Sequence, residues 1–329
     1  SRSLCRKAKG SKVMKTVKMN PAHAWSFRKK CRLYSIHLER MAGVSNMDRR
    51  HTLISVFEDT QKFYTENATL AAAVAYGRDN TRLYEADDYP PLPNLENRRL
   101  QMIKVSKSKT FQAAMDWQQD LPEKRIAVLN FASASRPGGG VKNGSSAQEE
   151  SLCRCSTLYP TIDRRRLRQQ YYDVNRAARD VRHTDACIYS PGVIICKTDE
   201  STPRRMPDDR FVTVDVISCA APNLRNEPAN YHNPETGDPV RMEPEELYEL
   251  HYNRAKHILH IAACNKVDIL ILGAFGCGAF ANDPNIVSKA YCSALAEYQR
   301  FFDVIEFAIY CRDYETENYK AFHRTFFGE

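Results

Sequence analysis

Ile126-Ala127-Val128-Leu129-Asn130-Phe131-Ala132-Ser133-Ala134-Ser135-Arg136-Pro137-Gly138-Gly139-Gly140-Val141-Lys142-Asn143-Gly144-Ser145-Ser146-Ala147-Gln148-Glu149-Glu150 carries the chain from an apolar strand, through three consecutive glycines, into a helix. The first six residues are short and apolar apart from Asn130, the composition of a strand buried on both faces. Three glycines in a row strip side chains from the backbone, permit positive φ and let a bulky ligand approach closely, at an entropic penalty that a plain turn has no reason to carry. Ser146 and Glu149 have the S-x-x-E spacing of a capping box, which would start a helix over residues 147–157 and give Glu149 a capping role. Glu150 follows in the first turn. The helix N-terminus favours its ionised form, whereas a desolvating pocket would raise its pKa toward that of a usable acid. Adjacent carboxylates beside a ligand loop suit glycoside hydrolysis, in which a leaving oxygen needs a proton while positive charge builds on a sugar ring.

Outward from this stretch the chain alternates strands and helices. Helical periodicity covers residues 49–64, with Leu53, Val56, Phe57 and Phe63 near one face and a short continuation over 68–76. A proline-rich connector, Tyr89-Pro90-Pro91-Leu92-Pro93, ends that unit. Residues 110–117 read as a helix, 187–196 as two short strand-like runs, 211–218 as a strand and 222–238 as a polar loop. Residues 244–264 are helical, 267–272 a strand, 284–301 a helix and 304–310 the last strand. The pattern predicts an α/β fold, a sheet covered by helices on both faces with ligand loops at the strand C-terminal ends. Its domain organisation reads as a basic tail (1–47), a helical N-terminal extension packed on the core (48–120) and a catalytic core (121–329).

A second loop answers the first. The strand ending at Leu272 and Gly273 empties into Ala274-Phe275-Gly276-Cys277-Gly278-Ala279-Phe280-Ala281-Asn282-Asp283-Pro284, with Asp283 as N-cap and Pro284 at the first helical position. Small residues ahead of a helix start leave backbone N–H groups free to wrap a pyrophosphate, although such a segment also serves as an ordinary strand-to-helix turn. Neither loop has the G-x-G-x-x-G spacing of a dinucleotide-binding dehydrogenase.

The net charge of +8 is unevenly spread, since residues 1–50 hold 14 Lys and Arg against two acids and the remainder stands at −4. Blocks such as Arg6-Lys7-Ala8-Lys9 and Arg28-Lys29-Lys30 fit contact with a polyanion, an organelle or nuclear address, or a solvated arm. The longest apolar runs stop near a dozen residues, short of a membrane span. The eleven cysteines lie scattered through apolar runs (Cys187, Cys196, Cys219, Cys264, Cys292, Cys311), as buried reduced thiols do, and no Cys/His cluster has zinc spacing, so no metal site is expected.

Gly138-Gly139-Gly140, seven residues, then Gln148-Glu149-Glu150 resembles the signature of the poly(ADP-ribose) glycohydrolases, which are built on the macro-domain fold. The string from Asn130-Phe131-Ala132-Ser133-Ala134 to Ser151-Leu152-Cys153-Arg154 resembles the bacterial-type branch, found also in fungi and other eukaryotes. Gly276-Cys277-Gly278-Ala279-Phe280 with Asn282-Asp283-Pro284, the stretches 214–223, 307–310 and 318–322, and Asp59-Thr60 are similar to the same family, so the resemblance spans about residues 48–327. It implies a three-layer macro-domain-like fold and hydrolysis of ribose–ribose O-glycosidic bonds of poly(ADP-ribose), mainly from chain ends, without a cofactor. Glu150 would donate the proton and then activate water, and Glu149 would hold the hydroxyls of the reacting ribose. Asn130, Ser133, Gly138, Gly139, Gly140 and Gln148 would line the ligand on one side. Gly276, Cys277, Gly278, Ala279 and Asn282 would form the diphosphate loop, Phe280 would press on the distal ribose unless it serves only as core, and Tyr310 would stack on adenine.

Two residues depart from the pattern: Ser133 replaces an asparagine of the animal enzymes, and Ala281 stands where a glycine is expected. The same pocket would also suit removal of single ADP-ribose units from protein or nucleic acid, or a reader that binds ADP-ribose without turnover. The partners implied are poly(ADP-ribose) or ADP-ribosylated protein, met by a monomer inside the cell, in nucleus or cytoplasm.

Overall fold

Seven strands form one mixed sheet in the order β1-β4-β5-β3-β6-β7-β2. The computed structural model describes residues 47–94, 100–229 and 236–328, and the unit considered below runs from Arg50 to Glu329. The strands are β1 (Arg82–Tyr84), β2 (Met102–Ser106), β3 (Ile126–Phe131), β4 (Cys187–Ile195), β5 (Val212–Cys219), β6 (Ile269–Leu272) and β7 (Val304–Ala308). β4 pairs antiparallel with both neighbours, and all other pairings are parallel. The C-terminal ends of β5, β3, β6 and β7 therefore open on one side of the sheet, with the two glycine loops leaving adjacent strands.

Alternation along the central strands builds two cores. Ala127 and Leu129 of β3 join Ile217, Leu270, Leu272, Ile305 and Phe307 under α8 (Pro244–Cys264), α9 (Pro284–Tyr298) and α10 (Glu317–Phe327). Ile126 and Val128 point the other way, with Val214, Val216, Ile269 and Ile271, against α3 (Thr110–Asp120), α4 (Gln148–Cys155) and α5 (Tyr159–Ile162). Two covered faces make the three layers, and the near-continuous apolar strands are what a mostly parallel sheet requires.

The N-terminal helices are α1 (residues 47–66) and α2 (Ala68–Asn80), separated by Asn67, whose side chain caps α2 by accepting from Leu70 N. α1 buries Leu53, Phe57 and Thr60 on one face. Its Thr60 hydroxyl donates to Arg154 O at the end of α4 (2.5 Å), and Lys197, itself 1% exposed, reaches Val56 O and Asp59 from beyond β4 (both 2.8 Å). Arg205 first, and then Lys197, hold the Asp59 carboxyl down to about 2.

Several expectations change here. The stretch 48–120 is not only helical, because it supplies both edge strands of the sheet, β1 and β2. β2 is a five-residue edge strand, Met102-Ile103-Lys104-Val105-Ser106, with one buried residue, Val105, so it lacks the unbroken apolar run of the central strands. The two runs over 187–196 are one strand interrupted by a bulge, where the register shifts between Ser190 and Val193 and Gly192 takes φ +68°. Of the cysteines expected inside, Cys187, Cys196 and Cys219 are buried, Cys264 and Cys311 half-buried, and Cys292 exposed. Cys292 lies on the outer face of α9 beside the inward Tyr291. The basic tail (1–47) lies outside the described residues apart from Met47, and so does part of the 222–238 loop. No described helix is long and apolar enough to cross a membrane, and among the described residues no group of three or more His, Cys, Asp or Glu side chains is placed to hold a metal ion.

Candidate active site

Helix α4 starts one residue later than its capping-box pattern predicts. Ala147 is the N-cap, no side chain caps it, and Ser146 is exposed. Glu149 is drawn instead into the sheet's end, where its Oε2 accepts from Ser133 N (2.7 Å) and its Oε1 from Asn130 Nδ2 (3.4 Å). The local cap is outcompeted by a long-range bond to the loop that follows β3. Burial first, and next the charge of Glu150, push the Glu149 carboxyl well above the usual carboxylate range, against the pull of its bonds to Ser133, Asn130 and Gly138.

Glu150 is 8% exposed, and its Oε1 accepts from Gly140 N at 2.8 Å. The turn between Gly138 and Gly140 folds directly over both carboxylates. A Cβ on Gly139, whose φ is +55°, would lie 2.6 Å from Glu150 Oε1 and 3.0 Å from Glu149 Oε2. Glycine is thus required twice at this position, by conformation and by space. Gly138 (φ +68°) lies against the Tyr159 ring, and Gly140 against Ser145.

Gln148 works behind the pair. Its Oε1 accepts from Phe131 N (2.9 Å), and its Nε2 donates to Leu129 O (2.8 Å) and Thr110 Oγ1 (3.1 Å), tying the start of α4 to the end of β3. Asn130 is fully buried and donates to Ser218 Oγ (2.9 Å), while its Oδ1 has no partner among the described residues. The Ser133 hydroxyl accepts from Ser135 N (3.4 Å) and Arg136 N (3.3 Å), closing its own turn.

The second loop is held from one point. Asn282, 2% exposed, donates from Nδ2 to Pro222 O (2.7 Å), Gly276 O (3.0 Å) and Phe280 O (3.2 Å), and its Oδ1 meets His251 Nε2 at 2.8 Å. Burial pushes the His251 imidazole down to about 4, so the ring is neutral and donates from Nε2 to the amide oxygen. Asn282 therefore shapes the loop from within rather than lining it. Gly276 (φ +77°) has Asn282 and Ala221 where a side chain would go, whereas a Cβ on Gly278 would meet nothing within 4 Å. Ala281 takes φ +57°, the left-handed conformation that the glycine expected there would adopt without strain. Cys277 is half-buried, with its thiol pushed up by burial. Phe280 is half-buried beneath the Arg225 guanidinium, 5.6 Å from the ring centre. Tyr310, 61% exposed just past β7, has Lys109 Nζ 5.6 Å from its ring centre.

Phe131 joins the loops by packing on Gly273 and, edge-on at 5.5 Å, on Phe275. Sequence reading missed the residues that act at a distance. Arg254 of α8, 1% exposed, binds Asp185 (2.6 Å) and the carbonyls of Ala220, Arg182 and His183, fixing the chain that leaves β5. His251, one turn earlier on the same helix, and Arg225 over Phe280 escaped for the same reason: nothing local in the sequence marks a side chain whose partner lies tens of residues away in the chain.

The chain matches the family described as microbial-type PARG, catalytic domain, over residues 50–198. No curated protein matches it in sequence. Among solved structures, the poly(ADP-ribose) glycohydrolase of Thermomonospora curvata is similar over 84% of this chain and 100% of its own, with 28% identity and a TM-score of 0.71. The same enzyme bound to the inhibitor ADP-HPD gives 30% identity over the same shares with a TM-score of 0.69. The Deinococcus radiodurans glycohydrolase in complex with ADP-ribose gives 32% identity over 77% of this chain and 96% of its own, with a TM-score of 0.64. With its sheet order, paired carboxylates and glycine loops in place, and identity at this level over whole relatives, the chain belongs to the microbial-type poly(ADP-ribose) glycohydrolases.

Proposed function

We propose that the chain hydrolyses the ribose–ribose O-glycosidic bonds of poly(ADP-ribose), working from chain ends and releasing ADP-ribose. The observation that carries this reading is the packing of Glu149 and Glu150 around Gly139, at the mouth of a loop whose neighbour leaves open space at Gly278. The terminal ADP-ribose sets its diphosphate along the backbone between Gly276 and Ala279, with Phe280 against the distal ribose and Tyr310 as the platform for adenine. Glu150 protonates the departing 2′-oxygen as positive charge develops at C1″, then takes a proton from the attacking water. The Gly140 N–H holds one carboxylate oxygen at 2.8 Å, which leaves the other for proton transfer. Glu149 holds the ribose hydroxyls, itself fixed by Ser133 N. General acid–base help of this kind supplies ~10²- to 10⁴-fold in rate, with positioning adding to it. The residues act without a metal or redox cofactor.

The basic segment before residue 48 adds a polyanion contact that strengthens binding to long polymer without entering catalysis, a role its +12 balance over residues 1–50 supports. Incubation with long poly(ADP-ribose) and, separately, with mono-ADP-ribosylated protein tests the whole reading. Monomeric ADP-ribose accumulating early from the polymer is the expected result. Early release of long oligomers would refute the end-directed mode, and release from the mono-modified protein alone would move the activity to that substrate.

A further inference from the structure

Arg164, Arg165, Arg166, Arg168, Arg176, Arg179 and Arg182 fall within twenty residues that hold three aspartates and no lysine, a balance of +4 inside a body (residues 51–329) that totals −4. Three short helical pieces, α6 (Arg165–Leu167), a π turn (Arg168–Tyr172) and α7 (Asp173–Ala178), carry Arg165, Arg166, Arg168 and Arg176, with Arg164 just before them and Arg179 and Arg182 just after. Leu167, Tyr171, Tyr172 and Asn175 face inward, and Arg165, Arg166, Arg168 and Arg179 are exposed. Arg168, Arg176 and Arg182 pair with Asp163, Asp173 and Asp180. Arg164, Arg165, Arg166 and Arg179 form no ion pair with a described carboxylate, so their charge faces outward.

This ridge is fastened to the catalytic loop at both ends. Arg176 Nη2 donates to Ser135 O (3.0 Å), two residues past the Ser133 amide that holds Glu149. At the other end Tyr159, whose ring lies against Gly138, donates to Asp163 Oδ2 (2.5 Å), and Arg168 Nε donates to Asp163 Oδ1 (2.6 Å). Two more exposed cations, Arg136 and Lys142, continue the positive surface onto the loop itself, with Lys142 Nζ 5.4 Å from the Tyr159 ring centre.

We infer that the arginine ridge of residues 164–182 is the track on which the remainder of a poly(ADP-ribose) chain lies while its terminal unit occupies the active site. This rests on the glycohydrolase reading above. A chain cut at its last unit must leave as a polyanion with two phosphate charges per residue. A body that is acidic elsewhere would repel it, whereas a row of guanidinium forks suits successive phosphates, which arginine binds in bidentate fashion and lysine only as a point charge. Rigid fastening to the loop over Glu150 keeps the track in register with the bond to be cut.

The quadruple variant Arg164→Gln, Arg165→Gln, Arg166→Gln and Arg179→Gln removes the unpaired charges and leaves every ion pair and both fastenings intact. In the full chain at low salt, kcat/KM on polymer of twenty or more units should fall about ten-fold and its dependence on salt should flatten, by analogy with counterion release from nucleic acids. Turnover of a two-unit oligomer should change less than about two-fold, since the first-unit contacts are untouched. Equal losses on both substrates, or none on either, would overturn the track. Loss of duplex DNA binding with an unchanged long-to-short ratio would also overturn it and make the ridge a nucleic-acid surface. If the parent chain cleaves neither substrate, the activity reading fails by itself. Affinity of parent and variant for labelled polymer against monomeric ADP-ribose then decides the ridge separately, with a loss confined to polymer supporting it and equal affinities refuting it.

Discussion

The two glycine loops are alike in composition and opposite in physics. In the first, Gly139 is crowded, because the space its side chain would fill holds the oxygens of Glu149 and Glu150. In the second, Gly278 is empty-handed, with no atom within 4 Å of a would-be Cβ. One glycine makes room for the protein's own carboxylates, and the other opens on space outside the protein, where the proposed reading sets the diphosphate. Each loop is also stiffened from behind, the first by Gln148 and the second by Asn282, so neither relies on its glycines for order. Glycine content alone therefore says little about mobility. What matters is which atoms stand where the side chain would be.

The contrast is broken most severely at the carboxylate itself. Glu150→Ala should lower turnover by ~10²- to 10⁴-fold or more while ADP-ribose affinity stays within a few-fold, because the second loop is untouched. Wild-type-like turnover in a single-turnover assay would remove Glu150 from the mechanism. Next come matched glycine substitutions. Gly139→Ala forces a side chain into the left-handed region at about 1–2 kcal/mol and displaces the Glu150 oxygen, and misplacement of ~1 Å is worth ~10²-fold in rate. Gly278→Ala should leave stability within about 0.5 kcal/mol but weaken ADP-ribose binding. Thermal unfolding and ligand titration on both variants would show the two effects on separate axes, and identical profiles would erase the distinction between the loops.

A smaller effect concerns pH. Because the folded-state pKa of Glu149 is raised, the folded chain binds that proton more tightly than the unfolded one. Stability from this group is present at low pH and declines as pH rises from the ordinary carboxylate value of about 4.3 toward the folded value. Glu149→Gln, which imitates the neutral form, should raise the melting temperature by a few degrees at about pH 7 and not at about pH 4. The same gain at both values would mean that the shift has another source. The smallest effect expected is at Ala281. Glycine there relieves the strain of φ +57° but loosens the unfolded chain, leaving a net gain of about 0.5–1 kcal/mol, read as a slightly higher melting temperature. A drop would indicate that the methyl group packs usefully.

Central strands were legible because burial on both faces writes itself as an apolar run: β3 begins and ends where the sequence places it, at Ile126 and Phe131. The long α8 is legible too, running from Pro244 to Cys264 as the sequence reads it. Edge strands β1 and β2 left no such trace, since half of each faces solvent and their pairing is a property of the sheet rather than of the segment. In the site, Glu149 and Glu150 were legible together with the glycines that make space for them. The local capping pattern misdirected the role of Glu149, because a nearby S-x-x-E spacing cannot reveal that Ser133 N lies closer in space. Asn282 was recognisable as part of a loop but not as its hub, and His251 and Arg254 had no signal at all.

The Thr60 hydroxyl that closes the end of α4, with Lys197 bridging Val56 and Asp59, sets a limit on how small an active fragment can be made. The helix that presents Glu150 at its first turn is clamped at its last turn by a residue 94 positions earlier. Cutting the chain after residue 60, even with every strand and both loops retained, would strip the Arg154 carbonyl of a buried donor and leave the Lys197 ammonium facing a hole. An engineered minimal enzyme must therefore keep the turn of α1 that carries Val56, Asp59 and Thr60, although it lies far along the chain from the chemistry performed at the other end of α4.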